Sequence, residues 1–451
     1  MDKLKKVKNN TELLTAILNS YHQHFLKILQ PIQIDIALSG GMDSMVLMVV
    51  LYQLRSDIQM SLRAIHVHHG LSQNADHWLS FCQKQCDILG VDLSYEKVDI
   101  QSDRGMGVEA AARKQRYQVF EKYRHGILAL AHHQNDQAET LMLQLFRGSG
   151  LKGLAAMQNY DSDRKIWRPF LGLKRQLIEE FARQNKVNFI DDESNDDLYY
   201  DRNFLRQKVL PLIESRYPNI IQTISRSADN IADGLSINES IAKEDAQQYF
   251  FNDKFQLSLG MLNKLPKERV INLIRWWLNH NQQLMPSKKT MEELFDQILH
   301  VKKDAMLNIS IAPLMTIRAY QGQLYLVEKK NKLMPYELIW HGEDEITLPD
   351  QTKLLFKKTI GEGLSLSKLG VTTLRIQNRI GGEQFKPNEK RPSRTLKYLL
   401  RTSKIPPWER DSIPLIFSED RLVAVPSFGV HYEFQSTQDE LGYQLEWINH
   451  Q

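Results

Sequence analysis

One stretch constrains this chain more than any other: Ile32-Gln-Ile-Asp-Ile-Ala-Leu-Ser39-Gly40-Gly41-Met42-Asp43-Ser44. An apolar run ends in Ser-Gly-Gly, and a second apolar run, Met45 to Leu54, follows at once. That order predicts a buried strand, a tight loop and a helix. Such a loop presents backbone N–H groups at the helix N-terminus, where the helix dipole favours negative charge. Two glycines let the backbone close on an anion, and Ser39 and Ser44 add hydroxyl donors. The loop, including Met42, reads as a phosphate cradle. It is not a Walker A loop, because no lysine follows the glycines. Asp43 stands there instead. A bare carboxylate repels phosphates, so a divalent cation is expected between them. The alternative is an ordinary strand-to-helix turn with an acidic first turn.

The flanking sequence extends that unit. Apolar residues at helical spacing run from Thr11 to Leu29, and Pro31 closes that helix. After the loop and the helix from Ser44 to about Leu54, strands are predicted at Leu62–His68, Val91–Ile100 and Gly126–Ala131. Helices are predicted at Ser72–Leu89, Gly105–Tyr123 and from Asp136 to about Arg147. Alternating strands and helices of similar length argue an α/β fold, a doubly wound, Rossmann-like parallel sheet. Ligands of such sheets bind off the carboxyl ends of the strands. Ser39–Ser44, His66–His69 and His132–Glu139 all fall at such ends, so three polar clusters share one rim.

Further on, helices are predicted from about Lys174 to Asn185 and from Tyr200, the latter stopped by Pro211 and Pro218. Residues 219–300 read as mainly helical, Leu314–Glu328 as a hairpin around Gln-Gly-Gln, and the remainder as a small α+β module. The division expected is 1–217 for the α/β domain, 218–330 for a helical middle domain and 331–451 for the C-terminal domain. At 451 residues the chain is too long for one core.

The two cysteines, Cys82 and Cys86, sit i, i+4 on a predicted helix and read as buried thiols rather than a redox or metal pair. No apolar signal core follows the basic N-terminus, and no apolar run is long enough to span a bilayer. A cytoplasmic protein without membrane attachment is the expectation.

Charge is distributed unevenly. Between Arg375 and Arg410 there are ten Lys/Arg against three Glu, although the whole chain carries only +4. Tyr398 and Trp408 are interleaved with these cations. Concentrated basic charge with aromatics suits a phosphate backbone, and a solvated basic face is the alternative. Asp136 and Glu139 fall i, i+3 and share a helix face. They suit either helix N-terminal charge complementation or a pocket for a cation. Arg113 and Arg116 share another face and read as solvated or phosphate-neutralising. His66, His68 and His69 alternate sides on a strand and make a poor zinc set.

Ser39-Gly-Gly-x-Asp-Ser44 resembles the signature of the N-type ATP pyrophosphatases, the PP-loop family. A narrower resemblance rests on Ala131-His-His-x-x-Asp-Gln-Ala-Glu-Thr140, Arg147-Gly-Ser-Gly-x-x-Gly-Leu154, His66-Val-His-His-Gly-Leu-Ser72 and Glu109-Ala-Ala-Ala-Arg113. It also rests on Asp192-Glu-Ser-Asn-x-Asp197, Tyr200-x-Arg-Asn-x-x-Arg206, Arg379-x-Gly-Gly-Glu383, Ile405-Pro-Pro-Trp-Glu-Arg410 and Val423-Ala-Val-Pro426. These look like the bacterial tRNA(Ile)-lysidine synthase family over nearly the whole chain. The resemblance implies an ATP-dependent ligase that adenylates the C2 carbonyl oxygen of the wobble cytidine in the CAU anticodon of tRNA(Ile). The ε-amine of L-lysine then attacks C2 and expels AMP, changing the tRNA from methionine to isoleucine identity. It implies pyrophosphate at Ser39–Ser44 with Mg2+ at Asp43, lysine at Asp136 and Glu139, and Arg113 at the reacting phosphate or base. It further implies tRNA contacts from Arg202, Asn203, Arg206, Arg379, Lys397 and Arg401. A homodimer is carried as an expectation, although no residue of the sequence fixes the oligomeric state. A PP-loop tRNA thiolase is the rival reading, weakened by the arrangement of Cys82 and Cys86. A non-catalytic RNA-binding module that uses ATP as a ligand is the rival from another class, and it gives no reason for Asp43, Asp136 and Glu139 to share a rim.

Overall fold

The computed structural model describes residues 11–26, 31–68, 70, 74–99, 108–191, 197–251, 256–300, 307–329, 333–370, 373–390 and 392–448. His69, Arg391 and residues 192–196 of the acidic stretch lie outside them. The chain divides into two compact units, Met1–Glu239 and Ser240–Gln451.

The first unit is built on a six-stranded sheet in the order β3-β2-β1-β4-β6-β5. Its elements are α1 (Thr11–Phe25), β1 (Ile32–Ala37), α2 (Met42–Leu54), β2 (Met60–His68), α3 (Ala75–Leu89), β3 (Asp92–Lys97), α4 (Val108–Tyr123), β4 (Ile127–Ala129), α5 (Gln134–Phe146), α6 (Leu151–Leu154), β5 (Tyr160–Asp161), β6 (Ile166–Trp167) and α7 (Arg175–Gln184). Strands β3, β2, β1, β4 and β6 are parallel, and only β5 runs antiparallel. The doubly wound α/β expectation holds. Helix α2 is apolar all round because it is buried all round, with Met45 to Leu51 inside the core. On α1, Leu13, Ile17, Tyr21 and Phe25 recur every four residues and are all buried. Phe25 meets Trp167 edge-on at 5.3 Å.

One expectation is corrected. Pro211 does not stop its helix. Helix α8 (Asp201–Phe204) runs through a π-turn, Leu205–Val209, into α9 (Leu210–Arg216), with Pro211 in the first turn of α9. The N–H of Leu210 bonds to the carbonyl of Leu205, five residues back. Widening one turn lets a residue without an N–H sit in a continuous helical path. A 30-residue helix, α10 (Ile220–Tyr249), follows.

The second unit contains a sheet in the order β7-β8-β11-β10-β9, formed by β7 (Phe250–Phe251), β8 (Gln256–Ser258), β9 (Asn308–Ala312), β10 (Met315–Tyr320) and β11 (Gln323–Glu328). The predicted hairpin is β10–β11, and both turn residues, Gln321 and Gly322, have positive φ of 48° and 77°. Strands β7 and β8 escape a sequence reading because two or three residues carry no periodicity. Helices Lys267–His280 and Lys288–His300 pack on this sheet through Leu273, Trp277 and Leu294. Residues 337–448 form three further small sheets with short helices, the α+β module expected, around a separate core containing Trp340, Phe356 and Ile376.

Candidate active site

The loop between β1 and α2 is knitted by its own polar atoms. Ser44 Oγ donates to the Gly41 carbonyl at 2.9 Å, Gly41 N donates to Ser39 Oγ at 3.3 Å, and the two hydroxyls lie 3.0 Å apart. The Ile190 N–H bonds to the Gly40 carbonyl at 3.0 Å and ties the loop to the segment beyond α7. Gly40 has φ of +93°, and a Cβ there would stand 3.2 Å from both Cys82 Sγ and Ile190 Cδ1. A side chain is therefore strained there on two counts. The N-cap of α2 is Gly41, extended and without a side-chain cap, so the first-turn N–H groups of Met42 and Asp43 have no capping side chain. The helix starts two residues earlier than Ser44 and places Asp43 in its first turn.

Asp43 faces the start of α5. His133 Nε2 lies 3.7 Å from Asp43 Oδ2 and 3.5 Å from Asp136 Oδ2. His133 is 2% exposed. Burial pushes its pKa down, but the contact to Asp43 and the charges of Asp136 and Asp43 outweigh this, and the net shift is upward. His133 Nδ1 accepts the Asn135 N–H while Asp136 Oδ2 accepts the His133 N–H at 2.9 Å, a reciprocal cap. One oxygen of Asp136 thus serves the helix N-terminus.

The other oxygen, with both of Glu139, meets two arginines. Glu139 is 0% exposed. Arg202 Nε donates to Glu139 Oε2 at 2.7 Å and its Nη2 to Asp136 Oδ1 at 3.1 Å. Arg206 Nε donates to Glu139 Oε1 at 2.7 Å, and its Nη2 reaches Glu139 Oε2 at 3.0 Å and Asp136 Oδ1 at 3.3 Å. Burial opposes ionisation of Asp136, but the charges of His133, Arg202 and His132 and the His133 N–H hold its pKa at about 2. The carboxylates read from sequence as a cation pocket and the arginines read as RNA contacts are, in this structure, each other's partners. Asn203 donates to the Asp197 carbonyl at 2.9 Å.

Three more groups line the same rim. His66 Nδ1 donates to the Leu38 carbonyl at 2.8 Å, and burial lowers its pKa. His132 is pushed to about 3, by burial first and then by Arg202, Arg168 and Arg113, against the charge of Asp136. Arg168, one residue past β6, is 5% exposed and donates from Nη1 to the Gln158 carbonyl at 2.8 Å. Sequence reading passed over it, because β6 is two residues long and gives no strand end to locate. Arg113 is exposed, its guanidinium 5.4 Å from the ring centre of Tyr117.

Among the described residues, no group of three or more His, Cys, Asp or Glu could by itself hold a metal ion. Asp43 Oδ1, however, is buried without a hydrogen-bond partner. That fits a cation whose remaining ligands are phosphate oxygens and water. Cys82 and Cys86 are both buried, and burial pushes each thiol up to about 12.

In the C-terminal module, Arg379 is held by Glu383 at 3.4 Å and Asp411 at 4.0 Å. Lys397 and Arg401 are exposed on the helix Leu396–Thr402. Arg410 turns inward, donating to the Ile405 carbonyl at 2.9 Å and to Tyr320 Oη at 2.8 Å, beside Trp408, whose ring packs edge-on against Tyr325 at 5.3 Å. The basic window is therefore part surface and part internal brace.

Residues 13–213 match the PP-loop domain model, 257–325 the TilS substrate binding domain and 374–447 the TilS substrate C-terminal domain. A tRNA(Ile)-lysidine synthase of Nitrosomonas europaea is 34% identical over 92% of this chain and 92% of its own length. This chain belongs to the tRNA(Ile)-lysidine synthase family. Family members from Coxiella burnetii (34% identical, 91% of this chain, 92% of that one) and Haemophilus influenzae strain PittEE (37%, 87% and 94%) are similar to the same extent. A solved U34-tRNA thiolase of Methanococcus maripaludis is similar at 17% identity over 49% of this chain and 79% of that one, with a TM-score of 0.42. The loop Ser39–Ser44 lies within the residues that match the PP-loop domain model.

Proposed function

We propose that this chain uses ATP to adenylate the C2 carbonyl oxygen of the wobble cytidine in the CAU anticodon of tRNA(Ile). The lysine ε-amine then attacks C2, with release of AMP and pyrophosphate. The observation that carries the reading is His133, which stands between Asp43 of the PP-loop and Asp136 of the carboxylate pair at 3.7 and 3.5 Å. The groups that split the nucleotide and those that would receive a cationic co-substrate share one buried imidazole. Membership of the family makes ATP the nucleotide and tRNA the polymer.

The roles divide as follows. The first-turn N–H groups after Gly41 take the pyrophosphate. Mg2+ bound at Asp43 Oδ1 would screen the pyrophosphate charge and improve it as a leaving group. Arg113 balances charge at the reacting phosphate or base. Asp136 and Glu139 take the lysine ammonium. In the structure their charge is already matched by Arg202 and Arg206, so an ammonium gains its place only as those guanidiniums turn to RNA phosphates. Both roles, lysine pocket and RNA contact, are thereby tied to the same movement. Lys397 and Arg401 contribute to the RNA surface, and Arg379 supports the loop beside it. Separate cores on either side of residue 331 support the boundary between the 218–330 and 331–451 domains, whereas Ile221 packs with Ala138 and Leu210 and the first compact unit runs on to Glu239, beyond the boundary read at 217. A homodimer and a cytoplasmic location, where tRNA is matured, belong to the same reading. Among the described residues, no helix is long and apolar enough to cross a membrane.

The thiolase alternative needs reactive cysteines, and two buried thiols held near 12 do not supply thiolates. The deciding assay combines the protein with ATP, radiolabelled lysine and an isoleucine tRNA bearing CAU. Lysine is expected in the tRNA with one AMP per lysine. A tRNA that binds and receives no lysine refutes the reading.

A further inference from the structure

The outward face of the helix Leu396–Thr402 has a chemistry that plain phosphate binding does not explain. Leu396 and Leu400, one turn apart, are fully buried and fix which side meets solvent. Lys397 and Arg401, also one turn apart, are exposed, and Tyr398 beside them is 49% exposed. Thr395 Oγ1 caps the helix by accepting the Tyr398 N–H at 3.3 Å, which fixes the root of that ring. Arg394, in the strand leading into the helix, lays its guanidinium 5.1 Å from the Tyr398 ring centre. Lys390 and Lys404 are exposed nearby. Among the described residues, none of Lys390, Arg394, Lys397, Arg401 and Lys404 forms an ion pair, whereas Arg379 in the same module is held by two carboxylates.

Five uncompensated cations suit phosphates. A half-exposed tyrosine beside them offers a phosphate only its hydroxyl, and leaves its ring face unused. It suits a nucleobase that has left its stack, since every base has a π-face and gains by lying on an aromatic ring. A duplex keeps its bases inside and offers only backbone and groove edges. The ring therefore gains from unpaired nucleotides alone.

We propose that Tyr398, backed by Arg394, is a stacking platform for an unpaired RNA nucleobase, with Lys397 and Arg401 on the flanking phosphates. The proposal rests on the tRNA reading above and narrows it: this face takes single-stranded nucleotides, not the side of a helix.

Fluorescence anisotropy on the full chain tests it, using an intact CAU-bearing tRNA, the same tRNA trimmed of its unpaired 3′ nucleotides, and a blunt RNA duplex. Tyr398→Ala is expected to weaken the intact tRNA about tenfold with an unchanged salt slope, the size of one lost stack. Tyr398→Trp should keep affinity within about twofold, and the double change Lys397→Ala with Arg401→Ala should lower the salt slope. If trimming abolishes the Tyr398→Ala effect, the stacked base comes from the 3′ end; if the effect persists, it comes from a loop; either outcome supports the platform. Melting temperatures equal to the unsubstituted chain keep a folding defect from imitating the effect. Tyr398→Ala within about twofold on intact tRNA, or an equal loss on the blunt duplex, overturns the proposal. An unsubstituted chain that binds no tRNA overturns the tRNA reading itself and this proposal with it.

Discussion

Arg206 grips Glu139 with two nitrogens, Nε on Oε1 at 2.7 Å and Nη2 on Oε2 at 3.0 Å, although Glu139 is wholly buried. A buried carboxylate that loses a guanidinium keeps its desolvation cost without its compensation. Arg206→Met is therefore expected to lower stability by about 3 kcal/mol. The double variant with Glu139→Gln should cost less than the sum of the two singles. Urea unfolding of the four proteins in the cycle measures this, and simple additivity would refute the coupling.

The same carboxylates are proposed to receive lysine. Asp136→Asn should raise the KM for lysine at least about tenfold, the scale of one charged hydrogen bond lost, while leaving the KM for ATP nearly unchanged. Steady-state kinetics with each substrate varied in turn decides it. Equal changes in both would place the defect in the shared scaffold around His133 instead.

Asp43→Ala should abolish AMP and pyrophosphate formation, because the only described carboxylate in the PP-loop goes with it. RNA binding should survive, since the substitution removes a negative charge and touches no basic residue. Loss of both together would mark the loop as structural.

Gly40→Ala tests the loop's shape rather than its chemistry. With φ at +93° and two side-chain atoms 3.2 Å from the added Cβ, strain of about 1–3 kcal/mol is expected. The loop can relieve it only by moving away from Cys82 and Ile190. The KM for ATP should rise more than thermal stability falls, and an unchanged ATP dependence would refute the cradle.

Acid stability follows from two groups with the same sign. The pKa of Asp136 falls from 3.8 to about 2, so its stabilisation is complete above pH 4 and vanishes as pH falls through 2. His132 falls from 6.5 to about 3, so the folded state resists its protonation, and stability drops as pH falls from 6.5 towards 3. The Asp136 shift is worth on the order of 2 kcal/mol. Melting temperature should decline from pH 6.5 downward, and Asp136→Asn should flatten the part below pH 4. A variant with an unaltered acid limb would refute the assignment.

Much of the α/β unit was legible because its strands and helices have distinct periods and its loop has a distinctive composition. Asp43, Asp136 and Glu139 could be placed on one rim from strand-end position alone. What could not be read was pairing across long separations. Nothing local links Glu139 to Arg206, 67 residues away, and a helix-face argument sees only neighbours within a turn or two. Arg168 was missed for a similar reason. The two-residue strand before it has no periodicity, and its importance lies in burial. The internal bracing of Arg410 against Tyr320 was hidden the same way, since a charge count treats every cation as solvated.

The π-turn at Leu205–Val209 has a consequence for how this chain tolerates length change. Each residue of a regular helix advances about 100° around the axis. The five residues of the π-turn cover about the circuit that four cover in ordinary winding, so deleting one would restore that winding and leave the downstream faces near their present angle. Leu210 would still face Ala138 and Ile221. Pro211 would then sit in a regular helix interior, where it has no N–H to give. A one-residue gap here would thus be felt at Pro211 rather than in the wall behind α5: the π-turn is what lets the proline lie in a continuous helical path.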